Sequence, residues 1–235
     1  MGGAAGPKLT TKGLVLALDA ADPNSYPGSG TTWTDLVDKS SKGTLTNGPT
    51  FSTDNYGTIV FDGTDDLVTQ PYVMSNMSEF SIEFWAKTYN TGSTGGDNNA
   101  ALAGPNSGGT YIRTGFSKNN ERLSILFYVD GAEDQKSMST NINYSDFNPL
   151  GHNHYMLTIK DQDSMNIYFN GELKATESTG AMMTTGMDNY YQRIGNYASA
   201  FLWTGDIPVC RLYTRILSAK EIKQNYNALK NRFGL

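Results

Sequence analysis

The chain has 235 residues, enough for one large β or α/β domain or two small ones, and a core of that size needs no covalent staple. Lys and Arg number 18 against 23 Asp and Glu, a net charge of -5 that argues against a phosphate-backbone or anionic-lipid partner, so neither nucleic acid nor membrane is expected. The single cysteine, Cys210, excludes an intramolecular disulfide and a cysteine-based zinc cluster.

Residues 1–12 are rich in Gly, Ala and Thr, lack periodicity, and read as a flexible N-terminal arm ordered only where a partner holds it. Met1 to Lys8 contains no apolar signal region, and Gly6 stands where a myristoylation signal requires Ser or Thr, so no secretion or lipidation signal is expected. Leu14-Val15-Leu16-Ala17-Leu18 is a short apolar run, about a quarter of what a membrane helix needs, and reads as a strand leading into a loop from Asp22 to Thr32. Thr58-Ile59-Val60-Phe61 repeats that grammar, closing on Asp62-Gly63. In Phe80-Ser81-Ile82-Glu83-Phe84 the residues Phe80, Ile82 and Phe84 share one face, so one side of that strand is core. Trp33 and Trp85 read as core or semi-buried positions.

A polar, glycine-rich stretch from Tyr89 to Gly109 reads as a long loop, and loops of that length carry function or move. Leu123 to Val129 is a compact strand, and in the next one Tyr155, Leu157 and Ile159 alternate with His154, Met156, Thr158 and Lys160. Met165 to Phe169, Asn170-Gly171 and Glu172 to Thr176 form a hairpin, because Asn-Gly supplies both positive φ angles of a type I′ turn. Pro208, which cannot donate to a ladder, implies a bulge or an edge, and Cys210 reads as an inert buried thiol. The one plain helix runs from Ser218 to about Arg232. Ser218 and Glu221 make a capping box, Leu217 and Ile222 a staple, and Ile222, Tyr226, Leu229 and Phe233 an apolar stripe that must dock on a sheet. With 25 Gly, 25 Thr, 21 Asn and 19 Ser, and 14 Tyr, 10 Phe and 3 Trp to bury, the chain is expected to be an all-β, two-sheet antiparallel sandwich over residues 13–235 with one C-terminal helix.

Several ordered segments then carry a resemblance. Thr58 to Asp66, Phe80 to Lys87, the His154 strand, Ile167 to Glu172, Arg193 to Asn196, Phe201 to Ile207 and Arg211 to Ser218 resemble, in sequence order, the concanavalin A-like, laminin G-like jelly roll. Gly13 to Asp22 and Asn225 to Gly234 look like a structural protein of tailed bacteriophages. The resemblance implies a non-catalytic virion component, a capsid decoration or tail or fibre part assembled in the host cytoplasm. It would act through contacts with other virion proteins and copies of itself. Such folds also serve as lectins, so the alternative is a module that binds host surface polysaccharide, with calcium as an optional aid and no cofactor required.

Related glucanases carry two glutamates flanking an aspartate on one strand face, and Glu79, Ser81 and Glu83 come nearest to that arrangement. Ser81 replaces the central carboxylate, and Cα atoms four apart on a strand lie about 13 Å from each other, against roughly 5.5 Å between carboxyl groups for retention. No enzyme activity is therefore expected, and the face reads as solvated. Asp62, Asp65 and Asp66 in one turn are hard oxygen ligands suited to calcium, or else turn chemistry alone. Asp97, Asp130, Asp134, Asp161, Asp163 and Asp188 are loop carboxylates that a fold could bring to such a site. His152 and His154 share a strand face but lack an evident third ligand, so packing or a surface position is expected. Trp203, Tyr190, Tyr191, Tyr197 and Asn196 are the candidate platform for a sugar ring or a protein partner, with a core position open for Trp203.

Overall fold

The computed structural model describes residues 8–73, 77–89, 99–103, 111–117, 122–128, 136–139, 151–160, 162–179, 191–197 and 201–235. Among these residues the chain forms two large antiparallel sheets, a small ribbon and one α-helix.

The first sheet holds β1 (Leu14–Asp19), β4 (Thr50–Ser52), β5 (Thr58–Asp62), β7 (Glu79–Thr88), β12 (Asn153–Lys160), β13 (Ser164–Phe169), β14 (Glu172–Ser178) and β18 (Thr204–Tyr213). Their order is β14-β13-β12-β7-β18-β5-β4, and β1 also pairs with β18. The second sheet holds β2 (Thr32–Thr34), β3 (Lys42–Thr46), β6 (Leu67–Val73), β8 (Asn99–Ala103), β9 (Tyr111–Ser117), β10 (Arg122–Tyr128), β11 (Lys136–Ser139) and β15 (Tyr191–Ile194). Its order is β11-β10-β9-β8-β15-β6-β3-β2, and β16 (Asn196–Tyr197) pairs with β17 (Phe201–Leu202) as the ribbon. Strands distant in sequence lie side by side, β7 between β12 and β18 and β15 between β6 and β8, which is the crossover pattern of a jelly roll.

Alternation along the strands builds the core between the sheets. Phe80, Ile82, Phe84 and Ala86 of β7, Tyr155, Leu157 and Ile159 of β12, and Met165, Ile167 and Phe169 of β13 all enter one buried cluster. The Phe84 and Tyr155 rings stack there at 4.7 Å. The hairpin forms as its residues dictate, with Asn170 at φ 50 and Gly171 at φ 75. Pro208 marks a bulge, since the pairing of β18 with β7 slips between Asp206 and Val209. The loop expected from Tyr89 to Gly109 is interrupted by β8, whose Ala-rich segment has little intrinsic strand signal and is ordered by pairing with β9 and β15.

The helix α1 (Ala219–Leu229) starts at Ser218. The Glu221 amide donates to Ser218 Oγ at 3.4 Å, and the Ser218 amide donates to Glu221 Oε2 at 2.9 Å. A 3-10 turn over Lys230–Phe233 continues it, and Gly234 stops it at φ 73. The helix docks on the outer face of the first sheet. Ile222 packs there with Leu217, Met156, Tyr168 and Tyr213, while Phe233 packs on Trp85 and Val209. The Phe233 and Trp85 rings stack at 4.4 Å. Residues 8–12, expected as part of a free arm, instead lie against this helix, because the Thr10 amide donates to Asn225 Oδ1 at 2.9 Å and Gln224 Nε2 donates to the Lys8 carbonyl. No helix among the described residues is long and apolar enough to cross a membrane.

Candidate functional site

The strand face carrying Glu79, Ser81 and Glu83 faces the helix. The expectation of a solvated face is therefore corrected: Ser81 and Glu83 are both 0% exposed. The Ser81 hydroxyl donates to the Arg215 carbonyl at 2.8 Å and accepts from the Leu217 amide at 3.0 Å, so it fastens the segment that leads into α1. Glu83 is fully consumed. Its Oε1 accepts from Arg211 Nη1 at 3.0 Å and from His154 Nε2 at 3.2 Å, and its Oε2 accepts from Asn225 Nδ2 at 2.8 Å and the Tyr213 hydroxyl at 3.3 Å. An acceptor-only carboxylate places the His154 proton on Nε2. Burial alone would raise the Glu83 carboxyl, but the Arg211 guanidinium and the His154 and Asn225 hydrogen bonds outweigh it and hold it at about 2. A carboxylate so placed can neither lend a proton nor reach a substrate.

Arg211 and Asn225 escaped the sequence reading, yet both left a trace. Asn225 falls on the same helical face as Ile222, Tyr226 and Leu229, and a polar residue on a docking stripe signals a buried partner. Arg211 alternates with Cys210 and Leu212, which point into the core. It therefore shares the opposite face with Tyr213. The Cys210 thiol is buried among apolar groups, which push it up to about 12, in keeping with an inert residue.

His152 and His154 sit on β12 and just before it, but they do not converge on a metal. His154 belongs to the Glu83 cluster. His152 lies 3.5 Å from Asp206 Oδ2, contacts Asn55 Nδ2 at 3.2 Å, and packs on the Phe233 ring at 4.8 Å. Burial, with the Lys87 and Arg232 charges nearby, lowers the His152 imidazole to about 3. Burial raises the Asp206 carboxyl against the pull of the Tyr89 hydroxyl, which donates to Asp206 Oδ1 at 2.6 Å. Both groups are thus driven toward their neutral forms, and the contact is better described as a packed polar pair than as a salt bridge.

Asp62, Asp65 and Asp66 do come together, with one ligand oxygen of each within 4.8 Å of the others. The Asp62 amide donates to Asp66 Oδ2 at 2.9 Å and the Thr64 amide to Asp62 Oδ1 at 2.7 Å, so part of the cluster is turn chemistry. Another part is not. Asp66 is 4% exposed, and its Oδ1 is buried without a hydrogen-bond partner. Burial raises the Asp66 carboxyl, the Asp62 amide opposes this, and the Asp62 and Asp65 charges add to it. Among the described residues no Lys or Arg forms an ion pair with the three carboxylates. Hard oxygens, excess negative charge and an orphaned buried oxygen fit a calcium ion. Asp163 instead pairs with Lys160 at 2.8 Å, and Asp97, Asp130, Asp134, Asp161 and Asp188 lie outside the described residues.

Of the aromatic platform, Trp203 is in the core. It is 2% exposed and packs in the cluster between the sheets, and its amide donates to the Gly195 carbonyl at 2.7 Å. Its ring therefore offers no face to a sugar. Tyr190 lies outside the described residues, as do the side chains of Tyr191, Asn196 and Tyr197, whose backbones run in β15 and β16. Trp33 and Trp85 are buried at 0% exposure.

Two antiparallel sheets packed as a sandwich, with a helix closing one of them, define a jelly roll. Residues 61–223 match the concanavalin A-like lectin/glucanases superfamily, and the chain belongs to that family. No curated protein sequence matches it. Among solved structures it is similar to domain 4 of AbnA, a GH43 extracellular arabinanase from Geobacillus stearothermophilus, in complex with arabinotriose. The TM-score is 0.67 at 14% identity, over 91% of this chain and 98% of that one. It is also similar to the binding domain of botulinum neurotoxin serotype D, with a TM-score of 0.68 at 13% identity over 91% of this chain and 51% of that one. A third is the Trypanosoma rangeli sialidase in complex with the inhibitor DANA, with a TM-score of 0.68 at 16% identity over 95% of this chain and 34% of that one. The chain thus spans about half of the neurotoxin domain and a third of the sialidase. At these identities the likeness is one of fold.

Proposed function

We propose that this domain binds carbohydrate without transforming it. The observation that carries the reading is Glu83. The acidic residue best placed for hydrolysis is sealed under α1 with four hydrogen-bonding partners, so recognition falls to loops and edges. The arabinotriose-bound arabinanase domain supports it, since this chain covers 98% of its length. Calcium is part of the proposal: Asp62, Asp65 and Asp66 would hold the ion, whose charge would fix the turn after β5 and could meet sugar hydroxyls. The resemblance of residues 13–22 and 225–234 to tailed-phage proteins supplies the setting we propose. There the domain would be displayed on a particle among virion proteins and copies of itself, facing host polysaccharide. A glycan array run with and without chelator tests the reading. Sugar retention by the isolated chain is expected, and absence of retention under both conditions overturns it. Mass spectrometry of purified virions tests the setting, which fails if the chain is not found there.

A further inference from the structure

Among the described large apolar side chains Tyr56 stands furthest into solvent, at 80% exposure, and it contributes to none of the buried clusters. Its backbone is unusual. In the 3-10 turn Asp54–Tyr56, Asn55 has φ 50 and Tyr56 φ 68, followed by Gly57 at φ 142. Asn tolerates the left-handed region, but a bulky aromatic there is a genuine outlier that persists only where its surroundings over-determine it.

The surroundings do. Arg232 reaches in from the C-terminal 3-10 turn, donating from Nε to the Asn55 carbonyl at 2.8 Å, from Nη2 to the Gly57 carbonyl at 2.9 Å and from Nη1 to Asp19 Oδ1 at 2.7 Å. Gly57 is pressed so close to the Ala20 carbonyl that a Cβ would stand 2.5 Å from its oxygen. Asn55 is held from below by His152 at 3.2 Å. The backbone that carries a side chain unused by the core is thus held from both sides. His152 leads through Asp206 to a second ring, Tyr89, which is 42% exposed and locked by its hydroxyl. The Lys87 ammonium stands 4.9 Å from the centre of that ring. Asp54 is exposed in the same turn, and the contacts of Asn55 with His152, His152 with Asp206 and Asp206 with Tyr89 tie that turn to the second ring, so one patch holds two aromatic rings, a carboxylate and an ammonium.

Sugar rings need this mixture, a preorganised aromatic face for the C–H side and polar groups for the hydroxyl rim. We propose that the Asp54–Gly57 turn with Lys87 and Tyr89 is the sugar-binding subsite of this domain. Tyr56 stacks on one ring of a neutral polysaccharide, and Asp54 and Lys87 bond its hydroxyls. The exposed carboxylate and the net charge of -5 select a neutral sugar over an acidic one. This inference rests on the carbohydrate-binding reading above and locates it.

The test uses the whole chain and a panel of neutral polysaccharides, with affinity measured by calorimetry on whichever one the chain retains. Tyr56→Gly relieves the backbone and removes the ring, so its thermal midpoint should equal or exceed that of the parent while affinity falls at least about tenfold. Leu173→Ala, at an exposed apolar position on β14, should bind as the parent does. If Tyr56→Gly binds as tightly as the parent, the subsite lies elsewhere and carbohydrate binding itself still stands. If the parent retains no neutral polysaccharide but does retain acidic ones, the assignment fails and the broader reading survives. Retention of no sugar of any kind overturns both.

Discussion

Removing the Glu83 carboxylate is the sharpest perturbation of this fold. In Glu83→Ala the Arg211 guanidinium, 3% exposed, would remain buried opposite no charge, and the Asn225 amide and His154 Nε2–H would lose their acceptor. Breaking a buried pair from one side costs about 3–5 kcal/mol. The depression of the Glu83 carboxyl has the matching sign, since the Arg211, His154 and Asn225 contacts favour its ionised form. At this chain length each kcal/mol moves the thermal midpoint by about 2–4 °C, so a fall of about 6–20 °C is expected by calorimetry. The sign with pH follows from linkage. A carboxylate whose pKa is depressed on folding contributes its full stability above about pH 4.5 and loses it as the pH falls toward 2. Urea midpoints of the parent should therefore drop through that window, and Glu83→Ala should flatten this part of the drop. A paired Glu83→Leu, Arg211→Met variant should cost less than the two single changes added together, because no charge is then stranded. A loss below about 1 kcal/mol for Glu83→Ala would refute the account of a network that clamps the helix.

Ser218→Ala removes the capping box and should cost about 1 kcal/mol in urea unfolding without altering binding. Gly205→Ala would place a Cβ 2.0 Å from the Lys87 carbonyl oxygen at a residue with φ 144, so it should lower the thermal midpoint well beyond the few degrees of an ordinary surface change. Calcium at a hundredfold excess over Kd should stabilise the parent by about 3 kcal/mol, seen as a raised thermal midpoint, and leave Asp66→Asn unmoved. Because burial and the neighbouring carboxylates raise the Asp66 carboxyl, calcium affinity should weaken as the pH falls through the acid range, since protons compete for the same oxygens. Equal calcium stabilisation in parent and variant would remove the ion from this turn.

Much of the fold could be read from residues alone because its signals are local. The Asn170-Gly171 turn, the Ser218 and Glu221 box and the alternation through β7 and β12 each specify an element within a few residues of sequence. Partners distant in the chain were harder. Glu83 looked solvent-facing because the helix that buries it is 142 positions away at Asn225. The apolar stripe requires the helix to dock on a sheet, but its sequence does not say that the Glu83 face is the one covered. Trp203 could be core or platform on composition, and only packing between the sheets decides for core. The Asn55-Tyr56-Gly57 turn gave no signal, since left-handed geometry at Tyr56 is imposed by Arg232 from the far end of the chain and not by its own preference.

Recognition and hydrolysis leave different marks on the same polysaccharide. The purified chain is incubated with immobilised polysaccharides, and both the protein retained and the reducing ends released are measured on the same samples. Retention on at least one polysaccharide with no release above background is the predicted result. Release of reducing ends that disappears in Glu83→Gln would contradict it, because a carboxylate closed off beneath α1 would then be reaching substrate.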